Sequence, residues 1–493
     1  MNAQALDSSL AGAANAKAAA ATAPATAEAP SDAQGAKPAS ATRAMAAFAV
    51  RADGFPALAR ERARDAILDC VGCMLAGSHE ALGPKLLKVM AAFDQPSAQA
   101  PAALLGTPSY ASPQDAALYN GTIAHALDYD DTNHPAYAHP SAVILPALLA
   151  LAPLCDAKGD EVVSAYIVGF EAFGKLGRAM NTQHYKRGWH ATGTFGALAA
   201  TLAAGRLLRL TEPQMVMALG IAASSASGLR ANFGSMVKPL HAGYAARNGV
   251  LAALLAREGF DASADVMDHA YGYLSVFNAG IGFDPAPLLA MGQDLEILTE
   301  HGLALKPYPA CGATHPGIEA ALQLHQDLAG KSIASVRAGV CEMAFSPLIH
   351  VMPNKPLEGK FSLHYCLAAA LLEGQLGLAS FTDAKIADPT IRALIPKISM
   401  ELDDKLGDDA EFATVVSVLT ETGERFERFV PLAMGKPARW FSVERMRTKF
   451  GDCCEAVLGA AGCERAFAAL RALDAPTPVA TTLRALNVPP AAP

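Results

Sequence analysis

The sequence predicts a mainly α protein, with a large all-helical domain and a smaller α+β domain. Three observations carry this. From about residue 45 to 300, Ala and Leu recur at helical spacing, with Gly or Pro punctuating the ends and little β-branched clustering. After Pro307 the text changes, and Val336–Phe345, Ile398–Leu402, Phe412–Leu419 and Phe426–Val430 read as strands. Residues 440–475 then return to helical text and are expected to rejoin the first domain.

Taken in order, residues 1–42 form an Ala-rich, low-complexity tail with no basic region ahead of an apolar stretch, so it is not a secretory signal. Helices follow at Ala44–Ala52, Pro56–Gly77 and Gly83–Phe93, within a helical domain whose first part covers 43–301. The α+β domain covers 302–436, with helices at about 316–329 and 361–374. Its last two strands flank Glu421-Thr-Gly-Glu424, a hairpin signal. Residues 437–475 supply the C-terminal part of the helical domain. The Pro-rich residues 476–493 are a loose terminus.

Composition narrows the function. In 493 residues, 52% are hydrophobic and 17% charged, which excludes disorder of the whole chain and implies a large core. The 39 Lys+Arg against 47 Asp+Glu leave a formal charge of -8 and no basic stripe, so no nucleic-acid partner is expected. The longest apolar run, Ser141 to Cys155, is broken by Pro146 and Pro153 and is too short to span a membrane, so none is expected as a partner. Nine cysteines, an odd number and mostly in apolar text, read as reduced thiols of a cytoplasmic protein. Cys70-Val-Gly-Cys73 has redox spacing but no βαβ surroundings, and packing explains it better.

Clustered polar residues stand out in so apolar a chain. The densest run, Gly121 to Ser141, carries His125, Asp128, Asp130, Asp131, Thr132, His134 and His139. Capping a helix needs one or two such residues, whereas proton transfer near neutral pH needs this mixture. Three more polar segments each lead into an apolar helix: Lys186 to Gly196 with His190, Gly234 to Gly243 with Lys238 and His241, and Lys306 to Pro316 with Cys311. A cation beside the free N–H groups of a helix start makes an anion site. Converging starts would suit a substrate bearing several carboxylates. A metal-dependent hydrolase using the His125/Asp128/His139 cluster is the competing class, but no compact metal signature is present. A non-catalytic helical scaffold is a third. No phosphate-cradling loop and no GxSxG elbow occur.

Together the segments resemble the MmgE/PrpD family. The carrying motifs are His125-x-x-Asp128-Tyr-Asp-Asp-Thr132, His139-Pro-Ser, His190 before a Thr/Gly helix start, Lys238-Pro-Leu-His241, Lys306-Pro-Tyr-Pro and Gly359-Lys-Phe-Ser-Leu-His-Tyr365. The family includes 2-methylcitrate dehydratase, cis-aconitate decarboxylase and iminodisuccinate epimerase. The resemblance implies that the α+β domain is a lid inserted between the two helical parts. It also implies a homodimer, no cofactor, and a metal-free site between the domains. Asp128, His139, His190, Lys238 and Lys306 are then the expected catalytic residues. Thr132 and Tyr365 are expected substrate contacts by the same resemblance, and His241 and Cys311 are expected substrate contacts from the polar segments that carry them. The implied activity is a lyase acting on a small di- or tricarboxylate through an enediolate-like intermediate. Dehydration of the 2-methylcitrate type comes first, with decarboxylation or epimerisation as alternatives.

Overall fold

The computed structural model describes residues 40–91, 102–407 and 411–486. Of the expected tail, 1–39 lie outside the described residues, as do 487–493 of the terminus. The protein is mainly helical, with few and short strands.

The longer helices of the described residues are α1 (Ala41–Arg51), α2 (Ala57–Gly77), α3 (Leu82–Ala91), α4 (Pro113–Ala124), α5 (Ser141–Leu151), α6 (Gly159–Met180), α7 (Ala191–Leu207), α8 (Glu212–Ser225) and α9 (Val237–Arg257). In the second part come α10 (His315–Leu328) and α11 (Leu363–Glu373), and then α12 (Val443–Arg471) and α13 (Val479–Ala485). Two segments near the ends of the described chain differ from the sequence reading. Ser40 caps α1 through its side chain, so residues 41 and 42 already belong to a helix. Within the terminus expected to be loose, α13 buries Val479 and Leu483 against the first core.

The apolar run at 141–155 becomes α5, every residue of which is buried. A helix apolar all round belongs at the centre of a core. No described helix is long and apolar enough to cross a membrane. Around α5 pack α4, α7 and α9. Glycines let these helices approach closely. A Cβ on Gly243 of α9 would stand 2.3 Å from the Leu118 carbonyl oxygen of α4, and one on Gly121 would stand 2.9 Å from the Gly243 Cα.

Besides two pairs of two-residue strands, the described residues form one four-stranded sheet: β1 (Ile333–Val340), β2 (Ile398–Leu402), β3 (Thr414–Thr420) and β4 (Arg425–Val430), in the order β2-β1-β3-β4. β1 pairs in parallel with β2, Val336 opposite Ile398, and antiparallel with β3, which pairs antiparallel with β4. Gly423 turns the β3–β4 hairpin with φ 86, a conformation glycine adopts without a steric cost. The buried face of β3 alternates along the strand, as a half-covered sheet requires.

Buried apolar side chains fall in two clusters. One draws on residues between Ala41 and Leu305 and again between Phe441 and Leu486. The other lies wholly between Ala310 and Val430, where α10 and α11 cover the sheet. The chain therefore leaves the first core near residue 305 and returns to it near 441. α12 lies along α2, bent at Gly459, whose φ and ψ are non-helical.

Candidate active site

A cavity of about 410 Å³ opens between residues of the two clusters. Asp128, Thr132, His139, His190, Lys238, Lys306 and Cys311 all line it. They arrive on separate elements. α4 ends at His125, and the loop beyond it carries Asp128. Thr132 and Asn133 pair antiparallel with Ala304 and Leu303, which brings Lys306 alongside. His139 stands two residues before α5, and His190 is the N-cap of α7. Lys238 lies in the first turn of α9, which begins at Val237. His315 opens α10 and also faces the cavity. The four polar helix starts singled out by their residue types thus converge.

Asp128 is the centre of the charge arrangement. Its Oδ1 lies 2.6 Å from Lys238 Nζ, its Oδ2 lies 3.0 Å from Lys306 Nζ, and His139 Nε2 is 3.6 Å from Oδ1. Burial is the largest influence on this carboxyl and pushes it up. The charges of Lys238, Lys306 and the neighbouring histidines outweigh burial and hold it well below the usual range. Asp128 has φ 53, left-handed and rare for a residue with a side chain, at a cost of about 1–2 kcal/mol.

Behind Asp128 lies a cluster of histidines. His125 Nδ1 bonds to Asp130 at 2.9 Å, and His139 Nδ1 lies 3.0 Å from the Asp131 carbonyl oxygen and 3.3 Å from Asp130 Oδ2. The His125 and His139 ring centres are 4.3 Å apart. His190 Nδ1 meets His241 Nδ1 at 3.0 Å, so one ring donates and the other accepts. Burial, then Lys238 and the other histidines, keeps His190 well below the ordinary histidine range. Burial brings His125 down to about 4 against the pull of Asp130. Both rings are neutral at pH 7.

Three expected contacts need separate mention. His241 does not line the cavity but backs His190. Cys311 faces the cavity, and burial pushes its thiol up, which disfavours a nucleophilic thiolate there. Tyr365 is a correction. It is fully buried in the second cluster, and its hydroxyl donates to the Ser380 carbonyl instead of facing the cavity.

The residues that sequence reasoning left without a role are equally informative. Lys360, quoted only as part of the Gly359-Lys-Phe-Ser frame, reaches the Leu127 carbonyl oxygen at 2.5 Å. Asp130 orients two histidines. Arg230 and Phe233 line the outer cavity, with the Arg230 guanidinium 3.6 Å from the centre of the Tyr185 ring. Lys360 falls in a stretch that also carries Lys355, Glu358, Ser362 and His364, so nothing local singles it out, and nothing local marks Arg230.

His125, Asp128 and His139 could direct ligand atoms at one ion, since these atoms lie within 4.8 Å of one another. The donor set argues against a divalent cation there. Two ammonium groups already occupy both oxygens of the only carboxylate in the trio, and their charge repels a metal. The same two ammoniums against one carboxylate leave an excess of positive charge that suits an anion.

Two buried lysines, neutral histidines and a roomy cavity between two cores form the equipment of an enzyme that handles an anionic substrate. Models of both halves of one family match: the MmgE/PrpD N-terminal domain over residues 41–286 and the MmgE/PrpD C-terminal domain over 308–475. The chain belongs to the MmgE/PrpD family, and it is a lyase-class enzyme. It is 28% identical over 471 residues to a cis-aconitate decarboxylase of Aspergillus terreus, covering 89% of this chain and 93% of that protein. A mouse (Mus musculus) cis-aconitate decarboxylase is 27% identical over 79% of this chain and 81% of its own length. A 2-methylcitrate dehydratase of Cupriavidus necator is 29% identical over 71% of this chain and 75% of its own.

Proposed function

We propose that the protein is a cofactor-free lyase of a small tricarboxylate, with cis-aconitate decarboxylation as the leading reaction. The observation that carries this is the Asp128 carboxylate held between Lys238 and Lys306 inside the cavity. A site that binds its own carboxylate with two ammoniums can bind a substrate's carboxylates with the same groups. The Aspergillus terreus and mouse decarboxylases cover 89% and 79% of this chain, against 71% for the dehydratase. That coverage moves decarboxylation ahead of the dehydration expected first. Dehydration of 2-methylcitrate is the second reading, supported by the Cupriavidus relative.

The chemistry follows from the residues. When CO₂ leaves, the electron pair of the broken C–C bond passes into conjugation with a remaining carboxylate. Lys238 and Lys306 stabilise the negative charge that develops there. His139 and His190 are the proton carriers, and Thr132 is a hydrogen-bond partner for a carboxylate. In dehydration a neutral histidine would instead take a proton from carbon, the C–H electron pair would form the alkene, and the hydroxyl on the adjacent carbon would leave as water with a proton from a second proton carrier. A homodimer and a cytoplasmic setting belong to the same reading. Tyr244 and Leu251, 41% and 37% exposed on one face of α9, support the first, and nine free thiols support the second.

Proton NMR in D₂O with EDTA present tests the reading, using cis-aconitate, 2-methylcitrate, citrate and iminodisuccinate separately. Itaconate from cis-aconitate supports decarboxylation, and an alkene from 2-methylcitrate supports dehydration. Deuterium entering iminodisuccinate without net loss would make it an epimerase. Silence on all four, or activity only after a divalent metal is added, overturns the proposal. Lys238→Ala should lower kcat/KM by about 100-fold or more while the fold survives.

A further inference from the structure

Three buried lysines reach one stretch of backbone from three distant parts of the chain. Lys360 Nζ donates to the Leu127 carbonyl at 2.5 Å, Lys306 Nζ to the Asp128 carbonyl at 2.8 Å, and Lys449 Nζ to the Tyr129 carbonyl at 2.9 Å. Lys306 lies where the chain passes between the cores. Lys360 comes from the second core region, three residues before α11, and Lys449 from α12. All three are 5% exposed or less. The carbonyls are consecutive, and the middle one belongs to the left-handed Asp128. A left-handed residue with a side chain persists only when its surroundings over-determine it.

Lys360 is the telling member. Lys449 has a counterion in Asp69 at 2.6 Å, and Lys306 has Asp128. Among the described residues no carboxylate lies within 4.0 Å of Lys360 Nζ. A buried ammonium without a counterion destabilises a fold, and a methionine would fill the same space without the charge. Packing does not explain a lysine there; its grip on the site loop does.

We infer that Lys360 and Lys449 are positioning residues of this site: with Lys306 they hold carbonyls 127, 128 and 129, fixing the Asp128 carboxylate between Lys238 and Lys306. The inference rests on the reading of Asp128, Lys238 and Lys306 as the reacting site. It also makes the site depend on the docking of the second core, because Lys360 travels with it. Asp128, Glu80, Lys306 and Lys238 are the charged groups that act on Lys360, and burial, the largest influence, brings its ammonium down to about 8. The grip therefore weakens as pH rises through that value.

The test compares wild type, Lys360→Met and Lys360→Arg for melting temperature and for kcat and KM on cis-aconitate and 2-methylcitrate. Lys360→Met should melt at or above wild type, because an unpaired buried charge is removed. Its kcat should fall about 10- to 100-fold with little change in KM. Lys360→Arg should restore part of kcat and hold it above pH 8, where wild type declines. A Lys360→Met protein that fails to fold, melts well below wild type or keeps kcat within twofold overturns the inference. So do superimposable pH profiles for wild type and Lys360→Arg. If wild type consumes neither compound, the proposed reaction fails, and the melting comparison still decides whether Lys360 is held against stability.

Discussion

At the residue scale, Asp128 is both counterion and competitor. Its carboxylate occupies the two ammoniums to which the proposed reaction assigns a substrate carboxylate. Asp128→Asn removes the competing charge but also the group that sets the lysines 2.6 and 3.0 Å from its oxygens. The expected outcome is a lower KM for a tricarboxylate together with a kcat reduced by about 100-fold, a split that steady-state kinetics reads directly. A second prediction separates the two reactions. His190 lies well below the ordinary histidine range, so its neutral form survives to lower pH than in a free histidine. Dehydration needs that neutral base, so its rate should stay level as pH falls from 7 to 6. Decarboxylation needs a proton donor, so its rate should rise over the same interval. A pH–rate profile between 5 and 8 distinguishes them.

At the element scale, the chemistry depends on how closely helices pack. α9 carries Lys238 in its first turn and Gly243 at its crossing with α4. A Cβ there would meet Thr122 Oγ1 at 2.2 Å as well as the Leu118 carbonyl oxygen, so α4 and α9 must separate. Gly243→Ala should cost about 1–3 kcal/mol of stability, seen as a lower melting temperature, and should lower kcat because Lys238 moves with the helix. Much at this scale was legible in the sequence. Apolar periodicity located the helices, and Pro, Thr or Ser at their starts placed His139, His190 and Lys238 near free N–H groups. Tyr365 shows where such reading stops. The Gly359-Lys-Phe-Ser frame put it near the site, but one turn into α11 its side chain turns into the second core, and Lys360 faces the Asp128 loop instead. A frame of residue types does not say which side of a helix points inward.

At the scale of the whole molecule, the cavity is walled by side chains from both apolar clusters. Asp128, His139, His190 and Lys238 come from the first stretch of chain, and Cys311, His315 and Phe361 from the second. His301, Glu411 and Lys436 make a further polar contact beside it, with Glu411 Oε1 2.8 Å from His301 Nδ1 and Oε2 2.7 Å from Lys436 Nζ. If the second part acts as a lid, binding of tricarballylate, an unreactive tricarboxylate, should slow amide exchange in residues 128–139 and 306–315 together. Protection confined to one of them would count against closure of the second part over the first.

The sequence by itself determined the class of fold, the helical and strand segments, and the residue types able to bind an anion and move protons. Those follow from local periodicity and from the chemistry of side chains in short segments. Only the tertiary structure decided that four helix starts meet in one cavity. It alone also decided that Asp128 lies between two ammoniums and that lysines 306, 360 and 449 hold one loop. These contacts join residues as far as 320 positions apart, and separations of that order are set by packing of whole cores, which no local pattern encodes.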